Sequence, residues 1–239
     1  MTVLCLVERD AEGPADASLR ALAFAARVAA AGPAGPVPVA AVLFGPADQV
    51  PGATLAAHGA VSVHVVEPGH LDGYAPRAWA RALAGLAAET GAAVVVAAAT
   101  DRGNEVMAYL GALTGLPVAA NCVQAEPGED GAYQIVRHRW AGLLLEEARL
   151  EGSPALMTVA TEAVAPATVA GPGSGARPVH PYAPGLDDDD LRVRATETAG
   201  HSSGASLATT RAVAAARTGS RPWRSWPACS AASSGSPGW

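Results

Sequence analysis

A chain of 239 residues, half of them hydrophobic, has material for one large or two small domains with a substantial core. A formal charge of −6 and a pI near 5.5, with no lysine anywhere, argue against a nucleic-acid binder, because neutralising phosphates takes clustered basic side chains. No apolar run reaches the roughly twenty residues of a membrane span, so neither a DNA-binding nor a membrane-embedded protein is expected.

The opening run Val3 to Glu8 reads as a first strand. It has no basic leader and no small-residue cleavage site, so it is not a signal peptide and the protein is expected in the cytoplasm. After a polar loop through Asp16, the residues Leu19, Leu22, Phe24 and Val28 mark a helix ending near Gly32. Val37 to Phe44 is a second strand, Ala53 to His58 a short helix, and Val61 to Val66 a third strand. A loop with His70, Asp72 and Tyr74 leads to a helix from Pro76 to about Glu89, stopped at Gly91. Ala92 to Ala99 is an unbroken Val-rich run, the pattern of a strand buried on both faces of a parallel sheet. The period then changes, and Val106, Leu110 and Leu113 recur at helical spacing up to Gly115, with Asp101 placed to cap and Glu105 in the first turn. Leu116 to Val123 begins a fifth strand. Four alternations of strand and helix predict an α/β fold with a doubly wound, mostly parallel sheet.

Beyond this point the rhythm breaks. Glu126 to Gly131 is a turn cluster, and Tyr133 to Trp140 alternates as a strand does, which predicts an added antiparallel hairpin. The runs Leu143 to Leu150 and Ala155 to Ala160 are expected to add antiparallel or mixed edges. Pro166 to Pro184 reads as loop. Asp187 to Asp190 lacks the spacing and glycine turn of a calcium loop and reads as a solvated acidic run. Leu191 to Ala195 could form one last strand. From His201 to Trp239 periodicity is lost and Ser, Arg, Trp and Pro accumulate, including Trp223, Trp226 and Trp239, so a disordered tail is expected.

Side-chain chemistry is sparse. The turn Thr100-Asp101-Arg102-Gly103 at a helix start can hold an anion on free N–H groups and Arg102, or be a plain cap beside a surface arginine. No Gly-x-Gly-x-x-Gly follows the first strand, and no Walker loop is present. His58, His64, His70, His138, His180 and His201 show no metal-ligand spacing and read as structural or exposed. Ser18 and Ser62 sit in no nucleophile elbow, and Glu146-Glu147 would point to opposite faces of a strand, which gives no catalytic acid pair. Cys5, Cys122 and Cys229 are odd in number and widely spaced, consistent with a reducing compartment; the first two read as small buried hydrophobes. Neither a catalytic nor a metal site is expected.

Several stretches together resemble the amino-terminal domain of the electron transfer flavoprotein alpha subunit, of the FixB type. They are Val7-Glu8, Ser18-Leu19, Ala99-Thr100-x-Arg102-Gly103, the hairpin Val136 to Gly142, and Pro154 to Val159. The resemblance covers about residues 1–199; it departs at Ala160, where the family often has arginine, so no role of that arginine carries over. It implies an adenine-nucleotide α-hydrolase-like fold that pairs with a beta subunit. The heterodimer carries one FAD and passes electrons from flavin-linked dehydrogenases, including those of fatty acid oxidation, to a membrane quinone reductase. The family's FAD lies mainly on a carboxy-terminal alpha domain opened by a Ser-Gly-Gly-Arg-Gly-type loop, which this chain lacks. The composition suggests a GC-rich coding sequence, and re-reading Thr218 to Trp239 in another frame yields a string resembling the helix and strand after that loop. Residues 200–239 are therefore expected to be a frameshifted remnant, with the shift near residues 200–206 and FAD not retained. The rival reading is a free-standing nucleotide-binding protein or small hydrolase using the loop after strand four.

Overall fold

A computed structural model describes residues 1–32, 35–67, 73–165, 168 and 177–195. The chain divides into the units Met1–Thr196 and Glu197–Trp239, and the described residues all belong to the first. The expected tail from residue 200, with its frameshift, and the loop residues His70 and Asp72 lie outside them.

The strands are β1 (Thr2–Val7), β2 (Val39–Phe44), β3 (Ser62–Val66), β4 (Ala92–Ala98), β5 (Val118–Pro127), β6 (Tyr133–Arg139), β7 (Leu144–Leu150), β8 (Ala155–Val159) and β9 (Val179–Tyr182). The helices are α1 (Asp16–Ala30), α2 (Gly52–Ala57), α3 (Pro76–Thr90) and α4 (Asp101–Thr114). They form one nine-stranded sheet in the order β7-β6-β5-β8-β4-β1-β2-β3-β9. The strands from β8 to β9 run parallel, β5 is parallel to β8, and β5-β6-β7 is an antiparallel meander. This is the α/β, mostly parallel architecture with an antiparallel hairpin region that the alternation predicts.

Two cores sandwich the sheet. Val3, Cys5 and Val7 of β1 pack with Leu22, Phe24 and Val28 of α1 on one face, while Leu4 and Leu6 meet Leu83 and Leu86 of α3 and Leu110 of α4 on the other. Burial on both faces is why β1 and β4 read as continuous apolar runs rather than alternating ones. Helix α3 stops at Gly91, whose φ of 60° lies in the left-handed region that glycine enters without a Cβ penalty. Both described cysteines are buried free thiols; burial pushes the Cys122 thiol up to about 12 against the Arg137 charge, and raises Cys5 as well.

Four expectations are corrected. Ala155–Val159 is no edge: β8 slots between β4 and β5, parallel to both, with all five residues buried. Within the supposed loop Pro166 to Pro184, β9 pairs in register with the free edge of β3. Leu191 to Ala195 makes turns and bends, not a strand. The acidic run is not wholly solvated either, since Asp190 is buried between Arg77 and Arg81 of α3 at 2.9 and 3.2 Å. Leu186 and Leu191 pack on the α3 core around it, and the Ala195 N–H donates to the Tyr74 carbonyl at 2.7 Å. Residues 186–195 thus form a strap across α3.

Candidate functional site

The chain leaves β1 toward β2 and β3 on one side, and β4 lies on the other side of β1. The loops after β1 and β4 therefore diverge, and the crevice between such loops at the carboxyl ends of the strands is where open α/β sheets bind ligands. Glu8 follows β1 and Thr100 follows β4, and the two meet there: the Thr100 hydroxyl donates to Glu8 Oε1 at 2.5 Å. The Glu8 backbone N–H donates to the buried Ser18 Oγ at 2.9 Å, which ties the end of β1 to the first turn of α1. Burial pushes the Glu8 carboxyl above the usual carboxylate range; the Thr100 hydrogen bond and the Arg102 charge oppose it.

The cap of α4 is Thr100, not Asp101. Thr100 Oγ1 accepts the Gly103 N–H at 2.9 Å, and Asp101 is an exposed first helical residue, where its charge still suits the helix dipole. Gly103 is required by close approach, since a Cβ there would lie 2.0 Å from the Ala98 carbonyl oxygen. Arg102 is exposed and its guanidinium carbon stands 5.1 Å from the centre of the Tyr74 ring, a cation–π contact. The Tyr74 hydroxyl donates to Glu105 Oε2 at 2.7 Å, and burial, followed by Glu105, raises the phenol above its ordinary range. Tyr74 sits edge-on to Trp79, which stacks on Phe44 with ring centres 4.1 Å apart. On the other flank, Thr158 of β8 donates to Asn104 Oδ1 at 2.8 Å and accepts the Asn121 N–H at 3.1 Å, where β5 bulges with φ 60°.

The structure thus groups Thr100, Asp101, Arg102 and Gly103 in one turn and adds partners that the sequence reading did not assign to it: Glu8, Tyr74, Glu105, Asn104 and Thr158. Chemically the turn offers one cationic group, Arg102, beside three carboxylates, Asp101, Glu8 and Glu105. A dinucleotide pyrophosphate asks for more, because the Gly103 N–H is already taken by Thr100 and Glu8 borders the turn. These residues do not fit an FAD pyrophosphate cradle. A cavity of about 550 Å³ lies elsewhere, lined by Met1 and Ala93, where β1 and β4 begin, and by Tyr133, Arg149 and Ser153.

Among the described residues, the hairpin end carries the main cluster of exposed large apolar side chains. The turn Trp140-Ala141-Gly142 has positive φ at all three residues, and Trp140, Leu143, Leu144 and Leu145 are 77%, 83%, 56% and 66% exposed. Arg137 and Arg139 behind the tip both reach Glu146, at 2.6 and 3.5 Å. That pairing holds the Glu146 carboxyl below the usual range.

A family model of the electron transfer flavoprotein domain matches residues 3–184, which takes in the strands and helices above except the first residue of β1. The chain belongs to the electron transfer flavoprotein domain family. No curated protein sequence matches it significantly. Membership implies a role in electron transfer flavoprotein complexes, a family associated with FAD and with heterodimer partners. Among the described residues of this electron transfer flavoprotein domain, no helix is long and apolar enough to cross a membrane.

Proposed function

We propose that the chain is an electron transfer flavoprotein alpha subunit whose residues 1–199 form the domain that pairs with a beta subunit. The heterodimer works in the cytoplasm and carries electrons from flavin-linked dehydrogenases, including those of fatty acid oxidation, to a quinone reductase. The observation that carries this reading is the hairpin tip. Four large apolar side chains so exposed at one projecting end are the signature of a surface meant for a protein partner. Because successive side chains of a strand point to opposite faces, Leu144 and Leu145 make both faces of the tip apolar, a shape suited to insertion into a partner's cleft. The Arg137–Glu146–Arg139 group behind it forms a polar rim. The alpha assignment rests on the hairpin stretch Val136 to Gly142 and the loop Ala99-Thr100-x-Arg102-Gly103.

In this reading the chain does not retain FAD. The Ser-Gly-Gly-Arg-Gly-type loop is missing from the sequence, and the residues at the β1–β4 crevice do not suit a pyrophosphate. Residues 200–239 are a frameshifted remnant of the flavin domain. The turn Thr100, Asp101, Arg102 and Gly103 is a contact for a single anionic group, made through Arg102; the aromatic face of Tyr74 positions that guanidinium.

The test is co-expression with a beta subunit. Co-purification of a one-to-one complex is expected, without a flavin absorbance spectrum. Replacing Trp140 and Leu144 by serine should weaken pairing by about thirtyfold or more, the effect of removing apolar anchors from an interface centre, while circular dichroism stays unchanged. Failure to pair, or pairing indifferent to these substitutions, would overturn the subunit reading; tight stoichiometric FAD would overturn the flavin part. Calorimetry with AMP and ATP, before and after Arg102→Ala, addresses the anion contact separately, and heat that survives the substitution would reject it.

A further inference from the structure

The six histidines look scattered along the chain, yet the fold sets two of them side by side. His64 of β3 and His180 of β9 are direct partners in the parallel register, and their ring centres lie 5.3 Å apart with planes tilted by 30°. We propose that this pair is a binding site for a late divalent transition-metal ion, such as Cu²⁺, Ni²⁺ or Zn²⁺, that fastens the edge strand β9 to the sheet. This goes beyond the subunit reading and does not depend on it.

The spacing is the first argument. With a metal about 2.1 Å from each ring nitrogen, and each nitrogen about 1.1 Å from its ring centre, two imidazoles at a tetrahedral angle have centres about 5.2 Å apart. The observed 5.3 Å between ring centres matches that spacing. The second argument is that neither ring has a hydrogen-bond partner among the described residues, so the nitrogens are available. The third is the surrounding field. Glu89, in the last turn of α3, acts electrostatically on both His64 and Tyr182 of β9, and the carboxyl end of a helix itself favours a cation.

The chemical class follows from the donors. Imidazole suits copper, nickel and zinc, whereas magnesium and calcium prefer oxygen. Among the described residues no group of three His, Cys, Asp or Glu side chains converges, so the ion would be held at two points, with water or a donor from another molecule completing its coordination. The mechanical consequence falls on β9. It is four residues long, largely exposed, and among the described residues paired to the sheet only through β3, so a bridge at its second residue would fasten the strand that precedes the strap over α3.

The experiment titrates the full chain, free of any polyhistidine tag, with Cu²⁺ or Zn²⁺ in competition with a chromophoric chelator. One equivalent should bind, with Mg²⁺ and Ca²⁺ failing to compete. His64→Gln and His180→Gln should each weaken binding at least tenfold, and Glu89→Gln by a smaller factor. Metal should slow hydrogen exchange of the β9 amides in the wild type and not in His180→Gln. Absence of binding would overturn the proposal, and so would binding that both glutamine variants retain, which would place the ion on other side chains. Should half-buried His64 tolerate no change, the exposed His180 variant decides alone.

Discussion

Removing the Asp190 carboxylate should release the strap from α3. Arg77 and Arg81 are one helical turn apart on the same face, and each points an Nε at a different carboxylate oxygen, at 2.9 and 3.2 Å. The Asp187 N–H adds a contact to the same group at 3.3 Å, while Asp190 returns its own N–H to Asp187 Oδ1 at 2.8 Å. Leaving one partner of a fully buried ion pair stranded costs about 3–5 kcal/mol. Here the two guanidiniums are 32% and 37% exposed and regain water when the carboxylate is gone, so the loss is nearer the worth of one charged hydrogen bond, about 2 kcal/mol. That loss is local. In Asp190→Ala, hydrogen exchange of amides 187–195 should speed up by about thirtyfold, the factor equivalent to 2 kcal/mol, while β1 and β4 amides keep their protection. The pH dependence has a definite sign. Burial pushes the Asp190 carboxyl up, but the Asp187 N–H and the two arginines outweigh it and hold the group below its ordinary value. Its contribution is therefore present above the unfolded aspartate range, about pH 4, and is lost as pH falls through the lower folded value. Wild type and Asp190→Asn should differ at pH 7 and converge in strong acid. Equal exchange rates at pH 7 in all three proteins would refute the latch.

Two further substitutions probe the β1–β4 crevice. Gly103→Ala forces a methyl carbon to within 2.0 Å of the Ala98 oxygen, so the start of α4 must move away from β4; overpacking of this kind costs about 1–3 kcal/mol, read as a lower urea midpoint with unchanged slope. Glu8→Gln keeps an acceptor for the Thr100 hydroxyl and removes a charge disfavoured by burial. Because the folded pKa of Glu8 is raised, its ionisation subtracts stability as pH rises through that value, so the variant should melt at or above the wild-type temperature at pH 7 and lose any advantage below about pH 4, the unfolded glutamate range. A thermal melt series across pH checks it, and a lower melting temperature at pH 7 would contradict the sign.

How much of this was legible in the chain depended on whether the governing contact is local. The helix stops, the Val-rich strands and the hairpin are decided by neighbours a few residues away, and their boundaries match the structure to within about two residues. The place of β8 is decided by sheet order. Its run Ala155 to Val159, apolar except at Thr158 and buried throughout, comes close to the pattern of β4, a mark of an interior parallel strand, and that mark outweighs its position after a hairpin. Asp190 misled for a similar reason. Four successive acids repel and prefer water, and Asp187 to Asp189 remain exposed, but two arginines a hundred residues earlier convert the fourth into a buried anchor. The candidate site shows the same division. The turn at Thr100–Gly103 announces itself, whereas Glu8 joins it only because β1 and β4 are neighbours, across a separation of 92 residues. His64 and His180 become partners only once β9 has found the outer edge of β3. Periodicity fixes which residues face the same way along an element; strand order fixes which of them meet, and in a parallel sheet that order is set by crossover connections whose length carries no trace of the destination.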